Sequence, residues 1–121
     1  MSNFQMPQHV IDRVMEKRGR LNVFESFEPE KTALLIVDMQ NFFVDGVQPC
    51  LDVMPNINRL AEVVRRSGGL VVWVVLTVAE TEDGPSLWPV YHDNFFTEAK
   101  MQAHKKGLTR GSPGHAIHAD M

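Results

Sequence analysis

Two short apolar runs without polar alternation organise the pattern of the chain. The first, over residues 33–37, reads Ala-Leu-Leu-Ile-Val, and the second runs from Leu70 to Leu76. Continuous apolar runs are typical of strands covered on both faces, as in a parallel sheet. Residues 55–67, which lie between the runs, carry apolar side chains at helical spacing and end at Gly68-Gly69. Strand, helix and strand of these lengths predict a βαβ unit.

The remaining pattern predicts helices before and after this unit. It gives a helix over 7–18 closed by Gly19, loops over 39–53 and 78–93, a helix over 94–106 ending at Gly107, a turn over 112–114 and a short helical turn over 115–121. The first helix packs outside the main domain or on another subunit, or it is a solvated arm. We therefore predict an N-terminal helix and arm over 1–30 and the first part of one domain over 31–121.

Two strands alone make an incomplete sheet. They leave two open edges, and both are apolar enough to need helices on both sides. We expect the natural chain to continue beyond Met121, with a partner chain completing the sheet as the alternative. The unpaired edges also predict a homo-oligomer.

Composition excludes several classes of protein. The net charge of −3 over 121 residues gives no basic footprint for nucleic acid. The seven-residue run from Leu70 to Leu76 is far shorter than the roughly 20 residues of a membrane-spanning helix, so no membrane partner is expected. A single cysteine rules out an internal disulfide, and the N-terminus lacks the pattern of a signal peptide, which together favour the cytoplasm.

Candidate chemistry lies where the strands end. Ligands of open α/β sheets bind beyond the carboxyl ends of the strands, where Asp38 and Thr77 follow the two runs. A partly desolvated carboxylate at such a place suits a general base, although Asp38 could instead cap a turn. Phe43 could wall a small-molecule pocket or pack in the core, as could its neighbour Phe42. Gln40 could bind substrate or satisfy loop backbone, as could Asn41.

Other reactive side chains give weaker signals. Cys50 follows Pro49 in a predicted loop without a nearby basic residue, which favours a structural role. The spacing of His115, His118 and Asp120 could hold a metal but is a weak pattern, and we expect neither a metal nor a cofactor.

The stretch over 31–46 resembles the isochorismatase-like cysteine hydrolase superfamily. It reads KTALLIVDMQNFFVDG, a buried strand that ends in Asp-Met-Gln before an aromatic residue. Asn56–Leu60 and Gly111–Gly114 followed by Ile117 also look like that family, and the N-terminal helix is similar to members acting on ureidoacrylate-type amides. The resemblance covers nearly the whole chain but about the first half of the family's domain.

The resemblance implies a three-layer, Rossmann-like α/β fold with a parallel sheet and helices on both faces. It also implies a cysteine nucleophile, a lysine and an aspartate, of which the aspartate corresponds to Asp38. The lysine and the cysteine would follow the third and fourth strands, beyond Met121. Nicotinamidase-like members carry an Asp-x-His metal motif where this chain has Thr77-Val78-Ala79-Glu80, so no catalytic metal is implied.

Three functions follow as hypotheses. The first is hydrolysis of the C–N bond of a small amide or ureide through a cysteine thioester, with Asp38 as acid/base and Phe43, Gln40 and Thr77 binding substrate. The second is hydrolysis of a vinyl ether, which needs no cysteine. The third is a truncated, non-catalytic binding or assembly subunit.

Overall fold

The computed structural model describes residues 5–121, so the first four residues of the predicted arm lie outside the described part. The elements in chain order are α1 (Gln8–Arg18), a 3-10 turn (Pro29–Lys31), β1 (Ala33–Val37), α2 (Asn41–Val44), α3 (Gln48–Arg66), β2 (Leu70–Val74), α4 (Pro89–Phe95) and α5 (Glu98–Leu108). Among these residues no helix is both long enough and apolar enough to cross a membrane.

The two strands pair in parallel. Ala33 is the register partner of Leu70, and Val37 is the partner of Val74. The predicted α/β class with parallel strands is confirmed, and β1 occupies the predicted residues. β2 ends at Val74 rather than at Leu76. The helix between the strands, α3, contacts both of them, as expected of a βαβ unit.

Residues 5–121 cover one face of the two strands and leave the other exposed, so burial of the strands on both faces stays a prediction. Ile36 is 4% exposed, whereas its neighbours Leu35 and Val37 are 58% and 53% exposed. On β2, Leu70 and Val74 are exposed as well. Because side chains alternate across a strand, these four residues share one face. Within residues 5–121 that apolar face is left open, while the opposite face is more deeply covered.

The region over 39–53, predicted as loop, is largely helical. A single turn, α2, follows β1, and α3 begins at Gln48 rather than at residue 55. Pro49 does not break α3 because it lies in the first turn, where its missing N–H would have had no partner. Pro55 lies inside the helix. Cys50 therefore belongs to the first turn of α3 and not to a loop.

The second half of the chain also holds more structure than predicted. Pro89 starts α4 inside the predicted 78–93 loop. α5 begins after Thr97, whose hydroxyl accepts a hydrogen bond from the Lys100 N–H at 3.3 Å. Residues 115–121 form turns rather than a helical turn, because Ile117 makes an antiparallel bridge with Gln40.

The N-terminal helix is confirmed. α1 ends where predicted, at Gly19 in the left-handed conformation with φ of 66°. None of its residues is buried, so within this chain it is a solvated helix. Its packing on another subunit stays a prediction.

Gly107 lies inside α5 and does not end the helix as predicted. A Cβ atom at this position would overlap the ring of Phe42, and one at Gly114 would overlap the Gly107 carbonyl oxygen. The glycine is therefore needed for close packing between α5, the Phe42 ring and the turn that contains Gly114.

Gly107→Ala is expected to lower the free energy of unfolding by about 2 kcal/mol, the usual cost of overpacking. In an open helix the same change would stabilise by about 1 kcal/mol, so the sign is diagnostic. Urea denaturation measures it. Combining the change with Phe42→Ala removes the overlap, and in that background Gly107→Ala should cost nothing or stabilise. A loss of equal size in both backgrounds would contradict the packing explanation.

Candidate functional site

Asp38 lies at the carboxyl end of β1, where the sequence predicts a ligand site. Its backbone N–H donates to the Val74 carbonyl oxygen at 2.9 Å, which continues the ladder between the strands by one residue. Its φ of 57° is the only positive value at a non-glycine residue among those described. Aspartate and asparagine tolerate this left-handed conformation better than most residues. The backbone therefore turns away from the strand direction at Asp38, whose side chain is half-buried.

Asp38 lines a cavity of about 550 Å³ at the carboxyl ends of both strands. The walls are mostly apolar and aromatic, and they carry four ionisable side chains, Asp38, Tyr91, Lys100 and His104. The lining residues are Val37, Asp38, Phe43, Val74, Val75, Leu76, Trp88, Tyr91, Phe96, Lys100 and His104. A cavity of this size with few polar groups is suited to a small organic ligand.

The two adjacent phenylalanines have different positions. Phe43 lines the cavity with Asp38, as its predicted role in binding substrate requires. Phe42 is not among the lining residues; its ring packs edge-on against Phe43 and against His104, each at a centroid distance of 5.2 Å. Phe42 thus packs against two residues of the cavity wall without lining the cavity itself.

Gln40 is fully buried and its side-chain amide is occupied by backbone groups. Nε2 donates to the carbonyl oxygens of Leu76 at 3.0 Å and His115 at 2.9 Å, and Oε1 accepts from the Leu76 N–H at 2.7 Å. Gln40 therefore joins the segment after β1 to two distant loops. Its predicted role in binding substrate gains no support from these contacts, which fit the alternative of satisfying loop backbone.

Thr77 and Asn41 also engage protein groups. The Thr77 hydroxyl lies 2.8 Å from His115 Nε2, and Thr77 is not among the residues lining the cavity. The Asn41 side chain donates to the Pro113 carbonyl oxygen at 2.8 Å. Both side chains fix the 113–116 turn against the strand ends, and a contact of Thr77 with substrate stays a prediction.

The weaker candidates do not gather at the cavity. Cys50 is half-buried in α3 and is not a lining residue. His115 contacts Thr77, whereas His118 Nε2 lies 3.4 Å from an oxygen of Asp45. The histidines of the 115–120 pattern thus have separate partners. Among residues 5–121 no group of three or more histidine, cysteine or acidic side chains could hold a metal ion.

Sequence reasoning missed the wall of the cavity that α4 and α5 supply. Trp88, Tyr91 and Phe96 come from the region of α4, and Lys100 and His104 come from α5. The spacing of Trp88, Tyr91 and Phe95 by three and four residues was a usable signal for a helix with an aromatic face. The prediction of a loop over 78–93, which rested partly on Pro89, left this aromatic spacing unused.

His104 stands among aromatic rings at the back of the cavity. Its ring lies 4.6 Å from that of Phe96 and 5.8 Å from that of His92, centroid to centroid. His92 is buried, and its Nδ1 is 2.5 Å from the Ser86 hydroxyl. Burial lowers the pKa of His104 below its ordinary value of 6.5, and the nearby His92 and Lys100 lower it further.

This depressed pKa predicts a loss of stability in mild acid. Below pH 6.5 the unfolded chain protonates His104 while the folded chain still holds it neutral, so stability falls as the pH drops toward the folded pKa. Because the ring is only partly buried and solvent screens it, we expect a contribution of about 0.5 kcal/mol or less.

Chemical denaturation between about pH 7.5 and pH 5 measures this effect. His104→Gln should flatten the pH dependence. His9→Gln, at an exposed position of α1, is the matched control and should leave it unchanged. An identical slope in the His104 variant and the unmodified protein would show that His104 is not the responsible group.

Comparison with known proteins places the chain in a family. The isochorismatase domain matches residues 32–121, which is most of the sequence. The chain belongs to the isochorismatase family. This finding confirms the resemblance carried by the 31–46 stretch, and it agrees with the parallel α/β arrangement.

One curated relative of this isochorismatase-family chain is a protein of Arabidopsis thaliana described as a probable inactive nicotinamidase. The two are 43% identical over 49 residues, which cover 36% of this chain and 25% of the relative. The chain thus spans about a quarter of the length of the curated relative it matches. No solved structure matches the chain.

Proposed function

We propose that the protein hydrolyses the C–N bond of a small amide or ureide, with Asp38 as the acid/base carboxylate. The observation that carries the proposal is the position of Asp38, at the carboxyl ends of two parallel strands and in the wall of a 550 Å³ cavity lined largely by aromatic side chains. Membership of the isochorismatase family supports it.

The chemistry assigns one step to Asp38. The carboxylate accepts the proton of a cysteine thiol, and the thiolate attacks the amide carbon. The C–N bond then breaks, and the proton passes to the departing nitrogen. A water molecule cleaves the resulting thioester and releases the acid. Cys50 is the single cysteine of the sequence and does not line the cavity, so the proposal requires a thiol from outside residues 5–121.

A second candidate is a binding subunit without catalysis. Two observations favour it: among the described residues the cavity lining contains no cysteine, and the Arabidopsis relative is described as a probable inactive nicotinamidase. Hydrolysis of a vinyl ether is compatible with the first observation too, because that reaction needs no thiol.

The decisive experiment combines mass and activity. Intact-mass measurement of the native protein shows whether it is larger than the 13.7 kDa of this chain, and the same preparation is assayed for release of ammonia or amine from a panel of small amides and ureides. A larger mass with release that a thiol-alkylating reagent abolishes supports the amide hydrolase. A mass of 13.7 kDa without release supports the subunit, and release that survives alkylation contradicts the cysteine mechanism.

A further inference from the structure

One side chain of the cavity has no role in the proposed reaction. Lys100 lines the same cavity as Asp38, and its Nζ lies over the Phe96 ring at 4.3 Å from the centroid. Among residues 5–121 no carboxylate forms an ion pair with Lys100. An ammonium group over an aromatic face is attracted to it, so Phe96 steadies the charge while leaving it without a counter-ion.

His104 adds a second donor next to Lys100. The two residues are four apart on α5 and therefore share a helix face, and both line the cavity. A neutral imidazole still offers one N–H donor. Lys100 and His104 thus place two potential donors for the oxygens of a carboxylate on the part of the cavity wall that α5 supplies.

Asp38 makes the two ends of the cavity differ in their preference for anionic groups. Its carboxylate repels a second anion, so an anionic group is disfavoured at the strand ends and favoured at α5. The aromatic walls formed by Trp88, Tyr91 and Phe96 suit the apolar body of a ligand between the two ends.

From this arrangement we infer that Lys100 is a specificity-determining residue, which selects substrates carrying a carboxylate at the end away from the scissile amide. The inference rests on the proposed function, because the ligand is a substrate only if the protein hydrolyses amides. The preference for an anionic ligand depends on the cavity alone. Lys100 positions the ligand and takes no part in breaking the bond.

Binding of benzoate and of benzamide, two ligands of nearly equal shape, tests the inference by isothermal titration. We expect benzoate to bind about 2- to 5-fold more tightly, the order expected for an ion pair with a solvent-exposed lysine. Lys100→Met keeps the aliphatic stem on Phe96 and should abolish the preference without weakening benzamide. Lys100→Arg should restore it. Lys106→Met is the control and should keep the preference, because Lys106 is exposed on α5 as Lys100 is but does not line this cavity.

Equal affinities in the unmodified protein, or a preference that survives Lys100→Met, would overturn the inference. Failure of the proposed function has a different signature. If no amide is hydrolysed while benzoate is still preferred through Lys100, the reaction is wrong and the anion site stands. If amides with and without a carboxylate are hydrolysed with equal kcat/KM, the reaction stands and the specificity is wrong.

Discussion

Gln40→Leu is expected to lower the free energy of unfolding by about 3–5 kcal/mol, because each buried polar group left without a partner costs about 1–3 kcal/mol. The substitution keeps a side chain of similar size but removes the partners of three backbone groups. These are the N–H and the carbonyl of Leu76 and the carbonyl of His115. At this position water has little access, since Gln40 is fully buried.

Urea denaturation followed by circular dichroism measures this loss. Gln48→Leu is the matched control, because Gln48 is exposed and its amide bonds only to Asp52 one turn along α3. That change should stay within about 0.5 kcal/mol. A similar small effect at Gln40 would mean that the strand ends and the 115 loop are held together by something other than its amide.

The strands were predictable because their signal is local. Five consecutive apolar residues over 33–37 cannot form an amphipathic helix, and Asp38 marks their end sharply. A parallel pair then fixes where the carboxyl ends meet, which is why the position of Asp38 at the end of β1 could be predicted from sequence. The family motif over 31–46 rests on the same residues.

The helices after the strands were less predictable because proline is ambiguous. Pro49 and Pro89 each lie a few residues after a turn-forming Asp-Gly pair, and both were interpreted as loop residues. In the structure each occupies the first turn of a helix, a place that tolerates proline. For Pro89, the spacing of Trp88, Tyr91 and Phe95 was the local signal that favours a helix over a loop.

The role of Gln40 could not be predicted for a different reason. Its partners lie 36 and 75 residues away in the chain, so no local pattern encodes them. A glutamine beside a candidate catalytic residue resembles a substrate ligand in sequence. The same limit applies to Lys100 and His104, which reach the cavity of Asp38 only because α5 packs beside the strand ends.

Asp38→Asn is expected to reduce kcat/KM for amide hydrolysis by at least about 100-fold in a preparation that shows this activity, the lower range for loss of a general base. Asparagine has nearly the same shape and cannot accept the thiol proton. It also tolerates the left-handed backbone, with φ of 57°, so the fold should be preserved.

The backbone conformation supplies the control that separates chemistry from folding. Asp38→Gly removes the carboxylate and suits the positive φ, so it should fold and be as inactive as the asparagine variant. Asp38→Ala removes the carboxylate and adds backbone strain of about 1 kcal/mol or more, so it should be inactive and also less stable. Loss of activity in all three with loss of stability in the alanine variant alone assigns the chemistry to the carboxylate. An asparagine variant that retains hydrolysis would remove Asp38 from the reaction and leave it as a backbone turn at the end of β1.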